Sequence, residues 1–155
     1  MENIQDKIHF LQNDYTKKLA QIPAETAPKW GKMNVQQMIE HMSDYVRIAN
    51  GKTPMEIVTE ADRIPRMQAF LASDKPFPEN TPNALMSDTP PPVRHANHES
   101  AIAELQQEVD HFIHTYQQDQ NKKLANPFFG ELDFHQQVQL LYKHSTHHLR
   151  QFGGE

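Results

Sequence analysis

Apolar residues return at intervals of three and four along much of the chain, which is the period of an amphipathic helix. Ile4, Ile8, Leu11, Tyr15 and Leu19 set a first helix over 3–21, stopped by Pro23 and Pro28. Asn34 is a suitable N-cap for a second. Val35, Met38, Ile39, Met42, Tyr45, Val46 and Ala49 share its face, and Asn50-Gly51 ends it. A third runs from about 98 to 118 with Ile102, Leu105, Val109, Phe112 and Tyr116 inward. "NPFFGEL" turns the chain, and Asp133 with Gln136 three residues on predicts a capping box for the fourth. Phe134, Val138, Leu141, Ser145, His148 and Phe152 line that helix, and Gly153 closes it.

Residues 52–97 break the pattern. They hold eight of the eleven prolines, among them Pro90-Pro91-Pro92, which bars long regular helix or a central strand. One short helix fits, opening near Ile64 or Pro65. A long loop that keeps Phe77, Leu85, Met86 and Val93 is expected to be an ordered cap over 74–97. The reading is all-α: one domain over 1–155, a four-helix bundle whose long crossover lets the second and third helices run parallel.

Composition narrows the function. The chain has no cysteine, so a disulfide, a thiolate nucleophile and a cysteine metal site are excluded. Fifteen basic against twenty acidic residues give a net charge of −5, which argues against a nucleic-acid partner. The polar start lacks the apolar core of a secretory signal, and no apolar run approaches a membrane span. A cytoplasmic protein with a small-molecule substrate is expected, and a homodimer is compatible with that reading.

Ten histidines are a heavy load for this length. On the fourth helix His148 lies roughly 40° from the centre of the apolar stripe and His144 roughly 80° on the same side, spaced i, i+4. His147 falls roughly 140° away, toward solvent. His41 flanks the stripe of the second helix. Together His41, His144 and His148 could hold one metal ion with a position left for water or substrate, the arrangement of catalytic zinc. The plainer alternatives are a chance i, i+4 pair and a hydrogen-bonded interfacial His41. The other histidines, at 9, 95, 98, 111, 114 and 135, show no such convergence, and most are expected in solvent. Glu40 and Asp44 rotate toward the surface, while Lys143 and Arg150 fall near the outer face. Tyr45 lies one turn from His41, either orienting a ligand or packed in the core.

Two stretches, "WGKMNVQQMIEHMSDYVRIANG" (30–51) and "NPFFGELDFHQQVQLLYKHSTHHLRQFG" (126–153), resemble the DinB-like superfamily, in particular an uncharacterised branch ending in FFG…KHxxHHLRQFG. The resemblance implies a four-helix bundle with a divalent ion, nickel or zinc, on three histidines, at positions matching His41, His144 and His148. It also implies chemistry with a low-molecular-weight thiol such as bacillithiol, mycothiol or glutathione, as an S-transferase or isomerase. Metal-dependent hydrolysis, or a metal that merely clamps two helices in a stress or binding module, are the alternative readings.

Overall fold

The computed structural model describes residues 3–79 and 89–154. The fold is all-α apart from one small hairpin. Helix α1 (Ile4–His9) passes through a π-helical turn (Phe10–Asp14) into α2 (Tyr15–Ala20). Then follow α3 (Val35–Ala49), α4 (Ile64–Ala72) behind a 3₁₀ turn (Ala61–Arg63), and α5 (His98–Gln118). The hairpin strands are β1 (Leu124–Asn126) and β2 (Gly130–Leu132), and α6 (Phe134–Gln151) closes the chain.

Local chemistry sets the starts of the long helices. The Asn34 side chain accepts from the Gln37 backbone N–H at 2.8 Å while Gln37 accepts from the Asn34 N–H at 2.9 Å. Asp133 and Gln136 repeat the exchange at 2.9 and 3.0 Å. Each box satisfies two donors that a helix start would otherwise leave unpaired, worth roughly 1 kcal/mol against alanine. Asn97 caps α5 by accepting from the Ser100 N–H at 2.9 Å.

The main core draws on every long helical segment, with Leu11, Tyr15 and Leu19 facing Met38, Met42, Leu105, Phe112, Val138 and Leu149. α3 packs most extensively on α5, and α6 rests on α1 and α3. The bonds between α3 and α5 climb in step along both chains. Gln36 reaches the His95 carbonyl at 2.7 Å, Arg47 reaches Glu108 at 3.1 Å, and the Tyr116 hydroxyl reaches the Ala49 carbonyl at 3.4 Å. The two helices therefore run parallel, as the long crossover predicts.

A smaller cluster of Leu71, Phe129, Leu132 and Leu140, joined by Phe70 and Phe77, fixes α4 and the hairpin to the outer side of α6. The hairpin is not foreseen by the pattern, which reads 126–132 as a turn. It pairs Leu124 with Leu132 and Asn126 with Gly130, and the Asn126 side chain accepts from the Phe128 and Phe129 N–H groups at 2.9 and 3.1 Å. Gly130 has φ 83°, and a Cβ there would lie 3.0 Å from Ile64, so the turn needs glycine both for its backbone and for contact with α4. Of the anchors expected in the crossover, Phe77 is packed and Val93 is exposed, while Leu85 and Met86 lie outside the described residues. Among the described residues no helix is long and apolar enough to cross a membrane.

Candidate metal centre

α3 and α6 face each other with imidazoles. The Nε2 atoms of His41 and His144 are 3.1 Å apart, and the ring of His148 lies 5.0 Å from that of His41 and 4.7 Å from that of His144. One nitrogen from each of the three lies within 4.8 Å of the others. Two nitrogens bound to one ion at about 2.0–2.1 Å with tetrahedral angles are separated by roughly 3.3–3.4 Å. The His41–His144 separation is close to that chord, so the donor set fits a small divalent ion.

The protonation state also fits. Burial, with a smaller contribution from His147, lowers the pKa of His41 to about 4. Burial, then the neighbouring histidines, holds His144 well below the ordinary range, and burial followed by His41 does the same for His148. All three rings are neutral near pH 7, so each offers a lone pair. One tautomer can be assigned. The Gln151 amide nitrogen donates to the Trp30 carbonyl at 2.8 Å, which leaves its Oε1 as an acceptor. That oxygen lies 2.7 Å from His148 Nδ1, so Nδ1 carries the proton and Nε2 keeps its lone pair toward the cluster. Gly31, with φ 79°, lets the 30–31 backbone approach, since a Cβ there would sit 3.1 Å from the Gln151 amide nitrogen. Gln151 was not singled out from the sequence. Its signal was an amide three residues beyond an inward histidine.

Aromatic residues wall the cluster. Tyr45 packs on His41 and His144 with ring centres 4.9 and 5.0 Å away. Phe77, from the proline-rich crossover, stands 6.2 Å from His144 and 6.0 Å from His147.

Three expectations are corrected. His147 does not face solvent: Trp30 at 5.2 Å and Phe77 cover it, and its Nδ1 is buried without a hydrogen-bond partner among the described residues. It does not join the converging group. Glu40 is buried rather than at the surface, and accepts from the Arg94 and His95 backbone N–H groups at 2.8 and 3.1 Å. Lys143 is also buried, donating to the Phe70 carbonyl at 2.7 Å. His95 is partly buried and lies 3.1 Å from Glu104. Among the other histidines, His9, His111, His114 and His135 are exposed, as expected.

The family model described as the DinB superfamily matches residues 11–152. No curated protein and no solved structure matches the chain.

Proposed function

Since the chain belongs to the DinB superfamily, we propose that it is a metal-dependent enzyme acting on a small molecule, with His41, His144 and His148 holding one divalent ion, zinc or nickel. The observation that carries this reading is the convergence of three neutral imidazoles with no carboxylate in the group. Imidazole suits zinc and nickel better than magnesium or calcium, which prefer oxygen. Three protein ligands leave room for an exchangeable fourth, the pattern of catalytic sites. An ion held by neutral ligands would keep its full charge and so lower the pKa of a thiol or water beside it.

The reaction class we favour is transfer or isomerisation with a low-molecular-weight thiol. The chain has no cysteine, so a sulfur nucleophile must arrive on a small molecule. The chain's own residues then have defined tasks. Gln151 keeps the His148 proton on Nδ1 and its lone pair inward. Tyr45 packs on His41 and His144 and fixes their rings, and Phe77 and Trp30 cover the His147 side. The test is a cobalt-substituted sample titrated with bacillithiol, glutathione and other biological thiols. A sulfur-to-metal charge-transfer band is expected. Perturbation by acetate, phosphate or a hydrolysable ester, with no thiol band, replaces transfer by hydrolysis. A spectrum that nothing changes makes the cluster a closed clamp between α3 and α6.

A further inference from the structure

The opposite side of α6 carries a second chemical feature. A cavity of about 170 Å³ opens there between α1, α6 and the segment after α4, lined by Lys7, Lys75, Lys143, Arg150, Thr146 and Asp74 among others. Four cations meet one carboxylate in a chain whose net charge is −5. On the helix wheel the α6 residues of this wall lie roughly 140° from His144 and 180° from His148, so the cavity is separate from the imidazole cluster.

Lys7 and Lys143 are held by neutral acceptors. Lys143 is only 7% exposed; its Nζ donates to the Phe70 carbonyl at 2.7 Å and lies 4.2 Å from the centre of the Phe70 ring. The Lys7 Nζ donates to the Gln139 side-chain oxygen at 2.6 Å and stands 5.2 Å from the Tyr142 ring centre. Each ammonium has three N–H donors and spends one on a neutral acceptor. Among the described residues, neither Lys7, Lys75 nor Lys143 forms an ion pair. Elsewhere the half-buried cations do: Arg47, Lys52 and Arg94 each meet carboxylates. Asp74 answers part of the charge on Lys143 without forming an ion pair with it, and an anion entering the recess would answer the remainder.

We propose that this recess is a second binding site, which takes the oxyanion group of a small molecule, a phosphate or a carboxylate. Lys7 and Lys143 supply the fixed donors from α1 and α6. Lys75 and Arg150 add charge at the mouth, and the Thr146 hydroxyl is the neutral polar group in the wall. The recess is too small for a macromolecular surface and has room for an anionic group with a few waters.

The test is backbone amide NMR of the zinc-loaded protein titrated with inorganic phosphate, with malonate, and with sodium chloride at matched ionic strength. Saturable shifts of Gln139, Lys143 and Thr146 are expected with phosphate or malonate but not with chloride. The tighter of the two names the source of the oxyanion. Lys7→Met removes a charge from a part-exposed site and should weaken binding about tenfold. Lys143→Met should abolish it, and Lys75→Met guards against misfolding of that buried variant by giving a smaller loss in a folded protein. Equal shifts with chloride, shifts confined to residues around His148, or unchanged binding in Lys7→Met would each overturn the proposal.

Discussion

α3 has two polar seams, and they are built on opposite rules. Toward α5 and the end of the crossover, every buried carboxylate is answered. Glu108 accepts from Arg47 at 3.1 Å, Lys52 at 2.9 Å and Asn50 at 3.0 Å. Glu104 pairs with Arg47 and with Arg94, and Glu40 takes two backbone N–H groups. Toward α6, His41, His144 and His148 each bring a ring nitrogen to one place, His41 and His144 lying 3.1 Å apart through Nε2 while Gln151 orients His148. The first seam satisfies its charges within the chain and ties the crossover down. The second gathers three imidazoles whose nitrogens face one another with no carboxylate in the group, the arrangement expected where a ligand rather than a salt bridge completes the network.

The sharpest way to break this contrast is to remove a carboxylate from the first seam. Glu108→Ala leaves Lys52 without its carboxylate, and leaves Arg47 with Glu104 and Asp44 and Asn50 with the residue-108 backbone carbonyl alone. It should cost about 2–3 kcal/mol in urea unfolding, at the low end for a buried pair because Arg47 and Lys52 keep part of their surface in water. Metal content should not change. Gln151→Leu attacks the second seam without touching a proposed ligand. Metal affinity should fall about 10–100-fold, read by competition with a chelator, because His148 loses both its orientation and its tautomer. The metal-free protein should lose roughly 1 kcal/mol for the missing hydrogen bonds.

Acid should separate the seams further. Burial pushes the Glu108 carboxyl up, but its bonds to Lys52, Asn50 and Arg47 outweigh that and hold it below the ordinary range. Glu104 is likewise lowered, burial being outweighed by His95 and Arg94. The unfolded chain therefore binds more protons in the acid range. Their stabilising contribution is complete above about pH 4.3, the unfolded value, and is lost as the pH falls through the folded values. Denaturation midpoints followed from pH 6 to pH 3 should show this slope, and Glu108→Ala should flatten it. The smallest expected effect belongs to His144→Leu in metal-free protein. Leucine keeps an apolar group of similar size in place of a desolvated neutral ring and gives up only its Nε2 contact with His41, so stability should change by less than about 1 kcal/mol. A loss as large as that of Glu108→Ala would mean that the imidazole seam is structural after all.

Much of this architecture is legible in the residues. The Asn34 cap and the Asp133–Gln136 capping box form as the sequence predicts, and Gln37 makes the Asn34 cap a box as well. The parallel α3 and α5 follow from the long crossover, and the period of α3 and α6 brings His41 toward His144 and His148. What a helix wheel misses is cover supplied by irregular chain. It leaves His147 and Lys143 to water because it knows only the other long helices. Trp30 and Phe77 come from loops, and Phe70 from the short α4, and these bury both side chains. Glu40 is buried for the same reason, since Arg94 and His95 return from the proline-rich segment to lie over it. The hairpin escapes the pattern because three-residue strands are too short to show a period of two.

The most direct test of the central claim is elemental analysis of the purified protein beside its His148→Ala variant, both checked for helical content. The account predicts about one zinc or nickel per chain in the wild type and loss of most of it in a variant that remains folded. Unchanged metal content in folded His148→Ala would contradict it, because the most buried and best oriented of the three imidazoles would then not be a ligand.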